Sequence, residues 1–112
     1  MRIVVVADVH ANLEALQAVL ADASAGGAID ALWSLGDMVG YGPDPRQCLE
    51  LLRSHPLKAI AGNHDLAASG AVTLDDFNPF AAEAARWTSP NWGESCGTVT
   101  LPSSEIADDF LV

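Results

Sequence analysis

Three short apolar segments, each separated from the next by a helical pattern, constrain the fold of this chain more than any other feature. These segments are residues 3–7, 31–35 and 57–61. Short, continuous apolar runs are typical of strands that are buried on both faces. Between them, Asn12 is placed to cap one helix, and Asp44 with Pro45 is placed to begin a second. The order strand–helix–strand–helix–strand predicts a mostly parallel βαβαβ sheet of the α/β class with right-handed crossovers.

The last part of the chain follows a different pattern. A third helix is predicted over residues 80–87, but Pro90, Gly93 and Pro102 interrupt any regular period after it. Only residues 109–112 look like the start of another strand. We therefore predict a folded unit over residues 1–87 and a divergent, poorly ordered tail over residues 88–112.

The charge balance limits the partners that the chain can bind. Five basic residues stand against 15 acidic ones, which gives a net charge of −10. Such a charge disfavours binding to a nucleic-acid backbone or to an anionic membrane. A phosphorylated substrate stays compatible with it if bound metal ions supply positive charge. No apolar run is long enough to span a membrane, and the two cysteines fit neither a zinc motif nor a disulfide framework, so we predict a cytoplasmic protein.

Polar clusters follow each predicted strand directly. They contain Asp8 and His10, then Asp37, then Asn63, His64 and Asp65. Roughly 30 residues separate successive clusters, which is about one βαβ unit. Because the carboxyl ends of parallel strands meet at one edge of a sheet, we expect the clusters to lie together. Oxygen and imidazole donors without sulfur suit Mn, Fe, Zn or Mg, and a central carboxylate can bridge two such ions.

Each cluster also has a purely structural interpretation. Asp8 and His10 can be a strand end with a capping acid, and Asp37 can be a turn residue. Residues 63–65 can form an Asx turn. The common spacing of the three clusters favours a site over these alternatives. For Tyr41, in the glycine-rich loop after the second strand, a substrate-side loop and a structural Ω-loop remain equally open.

Three of these motifs together resemble a known family. Asp8-x-His10, Gly36-Asp37 and Gly62-Asn63-His64-Asp65 are similar to the first three signature motifs of the calcineurin-like metallophosphoesterases. Residues 1–87 most resemble the small bacterial phosphoesterase branch. The resemblance implies a four-layer α/β/β/α sandwich, of which this chain forms the N-terminal half. It also implies hydrolysis of a small phosphomonoester or phosphodiester by hydroxide that two divalent ions activate, with Mn favoured.

The resemblance assigns a role to each residue of the clusters. Asp8 and His10 are expected to bind the first metal, Asp37 to bridge both, and Asn63 to bind the second. His64 is expected to protonate the leaving oxygen. Asp65 is expected to orient the His64 ring.

The chain also departs from the family pattern. Complete members carry two further histidine motifs, whereas this sequence has three histidines in total. The resemblance thus implies a chain truncated before those motifs, with weak metal binding and impaired hydrolysis. A non-catalytic remnant or interaction module is the alternative, and self-association through an uncovered sheet face is a further expectation. A Rossmann-like nucleotide domain is disfavoured because no glycine-rich phosphate motif follows any strand.

Overall fold

The computed structural model describes residues 1–91 of the chain. Within them, three strands form one parallel sheet in the order β1-β2-β3, and four helices accompany the sheet. The elements are β1 (Ile3–Val6), α1 (Leu13–Ala25), β2 (Ala31–Ser34), α2 (Pro45–Arg53), β3 (Leu57–Ala59), α3 (Asn63–Ala68) and α4 (Pro79–Asn91). The predicted parallel βαβαβ arrangement is confirmed.

The strand register places the three following loops at one edge of the sheet. Val6 of β1 lies opposite Ser34 of β2, which lies opposite Ala59 of β3. The strands are one or two residues shorter than predicted, although Leu35 N still donates to the Val6 carbonyl at 2.9 Å. The three strands therefore end side by side, which brings the polar clusters that follow them together.

One face of the sheet packs against helices. Leu32 of β2 is fully buried and clusters with Leu16 of α1 and with Leu49 of α2. Cys48 belongs to the same core, and burial raises the pKa of its thiol to about 11, with smaller contributions from Asp44 and Glu14. This pKa keeps the thiol protonated at neutral pH, so it packs as a small hydrophobe.

The other face of the sheet is more open. Val5, Trp33 and Lys58 lie in one row across the three strands, and Val5 is 53% exposed. Trp33 is half-buried on this side, because side chains alternate along a strand and Leu32 and Ser34 take the buried face. Within the described residues, this face is only partly covered.

The helix ends agree only in part with those predicted from the sequence. Asn12 caps α1 as predicted, since its Oδ1 accepts a hydrogen bond from Ala15 N at 3.1 Å. Asp44 precedes α2 as predicted, but its side chain makes no capping bond, and Pro45 begins the helix. Helix α4 runs to Asn91, four residues past its predicted end, with Pro90 in its last turn. In this last turn, Asn91 Nδ2 donates a hydrogen bond to the Trp87 carbonyl oxygen at 2.6 Å.

Two predictions concern the last part of the chain. The predicted strand start at residues 109–112 lies outside the described residues, and the boundary between residues 87 and 88 stays a prediction. In the part of the chain that is described, no helix combines the length and the hydrophobicity that a membrane span requires.

Candidate metal centre

Main-chain hydrogen bonds join the loop after β1 to the loop after β2. Asp8 N donates to the Gly36 carbonyl at 3.2 Å, and His10 N donates to the Asp37 carbonyl at 2.9 Å. The loops therefore run side by side from the edge of the sheet. As a result, one ligand atom each of Asp8, His10 and Asp37 lies within 4.8 Å of the others.

The backbone at these residues adopts an unfavourable conformation. Asp8, His10 and Asp37 have φ angles of 54°, 48° and 53°, in the left-handed region that non-glycine residues rarely adopt. Such a conformation costs roughly 1–2 kcal/mol per residue and persists only where surrounding bonds hold it. The main-chain bonds between the loops hold these residues, and the strained backbone turns their side chains toward one another.

The His10 ring is held in the orientation that a metal ligand needs. Its Nδ1 lies 3.2 Å from the carbonyl oxygen of Val39, and its Nε2 lies 3.6 Å from Asp8 Oδ1. Because a carbonyl only accepts, the neutral ring carries its proton on Nδ1 and keeps a free electron pair on Nε2. Metal-binding histidines typically donate their second ring N–H to a backbone carbonyl in this way.

The loop after β3 contributes Asn63 next to Asp37. With its nitrogen facing Asp37, the Asn63 amide donates to both carboxylate oxygens at 3.2 Å each. Rotating the Asn63 amide by half a turn brings its oxygen next to the Asp37 carboxylate instead. The amide and carboxylate oxygens repel each other there unless a cation lies between them. Asp37 Oδ1 also accepts from the backbone N–H of His64 at 3.0 Å. The structure therefore places Asn63 beside the three residues above.

His64 lies beside the cluster but is held differently from the expectation. Its side chain is 8% exposed, and its Nδ1 has no hydrogen-bond partner among residues 1–91. Its ring centroid lies 4.8 Å from that of His10. Gly40 packs against this ring so closely that a Cβ at that position would lie 2.7 Å from Nδ1.

Asp65 does not make the expected contact with the His64 ring. Its two carboxylate oxygens instead accept backbone N–H bonds, from Val39 at 3.0 Å and from Gly62 at 2.9 Å. Burial raises the pKa of this carboxyl, and the two N–H bonds oppose that rise. Asp65 thus links the loop after β2 to the start of α3, and both of its oxygens are occupied by this task.

We expect Asp65→Ala to lower the free energy of unfolding by about 2–4 kcal/mol, because it leaves two N–H groups without their acceptor. Urea unfolding followed by circular dichroism measures this loss. Asp75→Ala, which removes an exposed acid, is the control and should change stability by less than about 0.5 kcal/mol. A loss below about 1 kcal/mol for Asp65→Ala would contradict the linking role.

The sequence interpretation missed two parts of this region. Residues 63–68 form helix α3 rather than a loop, and the signal for it was Asp65 at the third helical position, bonded back to Gly62 N. Phe77 also lies against the site, with its ring centroid 5.2 Å from that of His64. His55 lies apart from this cluster, with its Nδ1 3.3 Å from the Leu51 carbonyl at the end of α2.

The donor set fits a divalent cation. Two carboxylates, an imidazole nitrogen with a free electron pair and a neighbouring amide are hard or borderline donors, which suit Mg, Mn, Fe and Zn. The hydrogen bonds to Val39 O and from His64 N fix the orientation of the ligands, as is usual around bound metals. In open α/β sheets, ligands bind at the carboxyl ends of the strands, which is where this donor set lies.

Comparison with known proteins identifies the family. A family model described as calcineurin-like phosphoesterase matches residues 1–109, so the chain belongs to this family, as its motifs predicted. A crystal structure of a metallophosphoesterase from Sphaerobacter thermophilus is 52% identical to the chain. It superposes with a TM-score of 0.66 over 85% of this chain and 38% of its own. The described sheet and helices thus match half of a metallophosphoesterase fold, as predicted.

Curated relatives agree with this assignment. An uncharacterized protein of Methanocaldococcus jannaschii, MJ0912, is 46% identical over 86 residues, which cover 77% of this chain and 35% of the relative. A symmetrical bis(5'-nucleosyl)-tetraphosphatase of Pectobacterium carotovorum is 44% identical over 63 residues, 54% of this chain and 22% of the relative. Serine/threonine-protein phosphatase 2 of Escherichia coli is 34% identical over 83 residues, 74% of this chain and 38% of the relative. The chain thus spans between a fifth and two fifths of these relatives.

Proposed function

We propose that this chain carries the metal-binding half of a phosphoesterase that hydrolyses a small phosphomonoester or phosphodiester. The observation that carries the proposal is the convergence of Asp8, His10 and Asp37 within 4.8 Å, with His10 Nε2 free to bind. Family membership supports the reaction class. The relatives named above act on different phosphoesters, so they do not fix the substrate.

Each residue then has a distinct task. Asp8, His10 and Asp37 hold one divalent cation, and Asp37 with Asn63 holds a second more weakly. Bound divalent cations neutralise phosphate oxygens and lower the pKa of water from 15.7 to about 7. His64, beside His10, carries the proton that the leaving oxygen takes up. Asp65 keeps His64 in place through the loop that it links, rather than through the ring.

The metal site is predicted to be incomplete within these 112 residues. Of the three histidines in the sequence, His55 caps α2 and His64 is assigned to the proton, which leaves His10 as the only histidine ligand. We therefore expect weak binding of the first ion, still weaker binding of the second, and slow hydrolysis. Manganese is the ion we favour among Mn, Fe, Zn and Mg, and the cytoplasmic location stays a prediction.

Chromogenic substrates test this function. We expect bis(p-nitrophenyl) phosphate or p-nitrophenyl phosphate to be hydrolysed with Mn²⁺, and EDTA to stop the reaction. Asp8→Ala should remove at least about 90% of the turnover, because it removes a charged ligand. Asp22→Ala, which changes an acid on the exposed side of α1, is the control and should keep wild-type activity.

Two outcomes would contradict the proposal. Turnover that resists EDTA or survives Asp8→Ala would refute the site assignment. No turnover at high protein concentration, with all variants folded, would favour the alternative of a non-catalytic interaction module.

We also propose self-association through the open face of the sheet. Val5 and Leu35 are 53% and 47% exposed on or beside this face, and contiguous apolar patches promote contacts between chains. Size-exclusion chromatography should show a dimer or a larger species, and Val5→Lys should shift it toward the 11.7 kDa monomer. Phe80→Lys, at an 82% exposed position on α4, is the control and should not shift the profile. A monomeric wild-type chain would contradict this expectation.

A further inference from the structure

A cavity of about 470 Å³ opens beside the candidate metal centre. Asn63 and His64 form the part of its wall that belongs to the site, and Tyr41 lines it from the loop after β2. The segment before α4 supplies the rest of the wall, including Thr73, Asp76, Phe77 and Asn78. The volume lies within the range of small-molecule sites, which is roughly 300–1,000 Å³.

Aromatic rings dominate the side of the cavity next to the site. The Tyr41 ring centroid lies 4.8 Å from that of His64 and 5.2 Å from that of His10. Phe77 meets the His64 ring edge-on at 5.2 Å. Tyr41 and Phe77 thus both contact the residue assigned to the leaving oxygen, so a leaving group would be released next to these rings.

Tyr41 is positioned at an energetic cost. Its φ angle is 62°, in the left-handed region, and the residue is 52% exposed. A large side chain in that conformation is strained, and exposure of half of the residue means that burial offsets little of the strain. Such a combination is found where a side chain serves a ligand, which favours the substrate-side interpretation of this loop over the purely structural one.

The charge of the cavity wall selects against a second anion. Its lining contains the carboxylate of Asp76 and, among the described residues, no lysine or arginine. Asn78 Oδ1 accepts from Ala81 N at 2.9 Å, which leaves its amide nitrogen as a donor. Neutral hydrogen-bonding groups and aromatic faces suit a flat, uncharged group, whereas a further phosphate would face Asp76 without a compensating cation.

We infer that Tyr41 and Phe77 form a subsite for an uncharged aromatic group that the substrate carries as the ester of its phosphate. The inference deepens the proposed function and rests on it, because it places the leaving group of that reaction. Two sources share this chemistry, namely a nucleoside and a simple aryl alcohol. The nucleoside and the aryl alcohol carry no phosphate once the ester is cleaved. The binding of each can therefore be measured with the metal ions removed.

Binding of the free groups to the 112-residue chain tests the subsite. Adenosine, phenol and, as a ligand without an aromatic ring, ribose are titrated in the presence of EDTA and followed by ligand-observed NMR. We expect saturable binding of adenosine or of phenol, and none of ribose. Phe77→Leu keeps an apolar side chain and Tyr41→Asn keeps a residue that tolerates the left-handed backbone, and each should raise the Kd about tenfold. Phe80→Leu, at an exposed ring outside the cavity, is the control and should leave the Kd unchanged.

The outcomes separate the subsite from the reaction. Binding of adenosine that both variants weaken supports a nucleoside source, and binding of phenol alone supports an aryl source. No saturable binding of either, or an equal effect of Phe80→Leu, would overturn the inference even if the chain hydrolyses phosphoesters. Binding without hydrolysis would refute the proposed function and leave the aromatic subsite standing.

Discussion

Asp37→Asn is expected to raise the Kd for Mn²⁺ at least about 100-fold. Asp37 belongs to the candidate ligand set with Asp8 and His10, and its carboxylate also contacts the Asn63 amide. Removing its charge strongly weakens the attraction to a divalent ion at these short distances. The asparagine keeps an oxygen that can accept from His64 N, and it tolerates the φ angle of 53° at this position. The variant should therefore fold while it loses the ion. The signal of free Mn²⁺ in electron paramagnetic resonance measures the affinity directly.

A matched charge change separates this local effect from a general one. Asp22→Asn alters the net charge by the same amount at an exposed position on α1 and should leave the Kd for Mn²⁺ within about twofold. If both variants weaken binding equally, the ion is attracted by the overall negative charge of the chain. That result would remove the basis for a specific centre at the sheet edge.

Gly62→Ala is expected to destabilise the fold by about 3 kcal/mol and to abolish measurable Mn²⁺ binding. The backbone at Gly62 has a φ angle of −84°, which any residue adopts, so the effect does not come from backbone strain. A Cβ there would overlap Asp37 Oδ1 and lie 2.5 Å from Asp37 N. Because a backbone nitrogen in this loop cannot move freely, the two loops must separate. Urea unfolding and the Mn²⁺ titration measure the two effects.

Gly26→Ala is the control for Gly62→Ala. Gly26 also has a φ angle of −84°, but the nearest atom to a Cβ there is the guanidinium tip of Arg2, at 2.7 Å. A flexible side-chain end can move aside, so we expect a loss of at most about 1 kcal/mol and unchanged Mn²⁺ binding. A Gly62→Ala protein as stable as Gly26→Ala would show that the loops after β2 and β3 are not in close contact.

Local sequence patterns were sufficient to predict the sheet and the position of the ligands. Apolar runs of strand length, separated by amphipathic helices, admit few arrangements besides parallel βαβ units. Once the strands are parallel, the residues that follow them must share an edge. Topology therefore brings Asp8, His10 and Asp37 to the same edge, and the bonds between the loops bring their ligand atoms within 4.8 Å.

Side-chain partners that depend on packing between distant segments could not be predicted. The family resemblance placed Asp65 against the His64 ring, but its oxygens accept hydrogen bonds from Gly62 N and from Val39 N, which is 26 residues away. Phe77 reaches His64 only because of how the segment before α4 lies over α3.

The main-chain bonds between the loops have a consequence for how the protein discriminates between ions. The bonds from His10 N to Asp37 O and from Ala11 N to Met38 O join main-chain atoms, and Val39 N adds a bond to the Asp65 side chain, so all three form without an ion. The loops are thus ordered by folding, and an arriving ion meets donors that are already in place. Folding then meets the cost of ordering the donors, so we expect the relative affinities of Mg, Mn, Fe and Zn for this candidate centre to follow coordination chemistry, and occupancy to follow abundance as well.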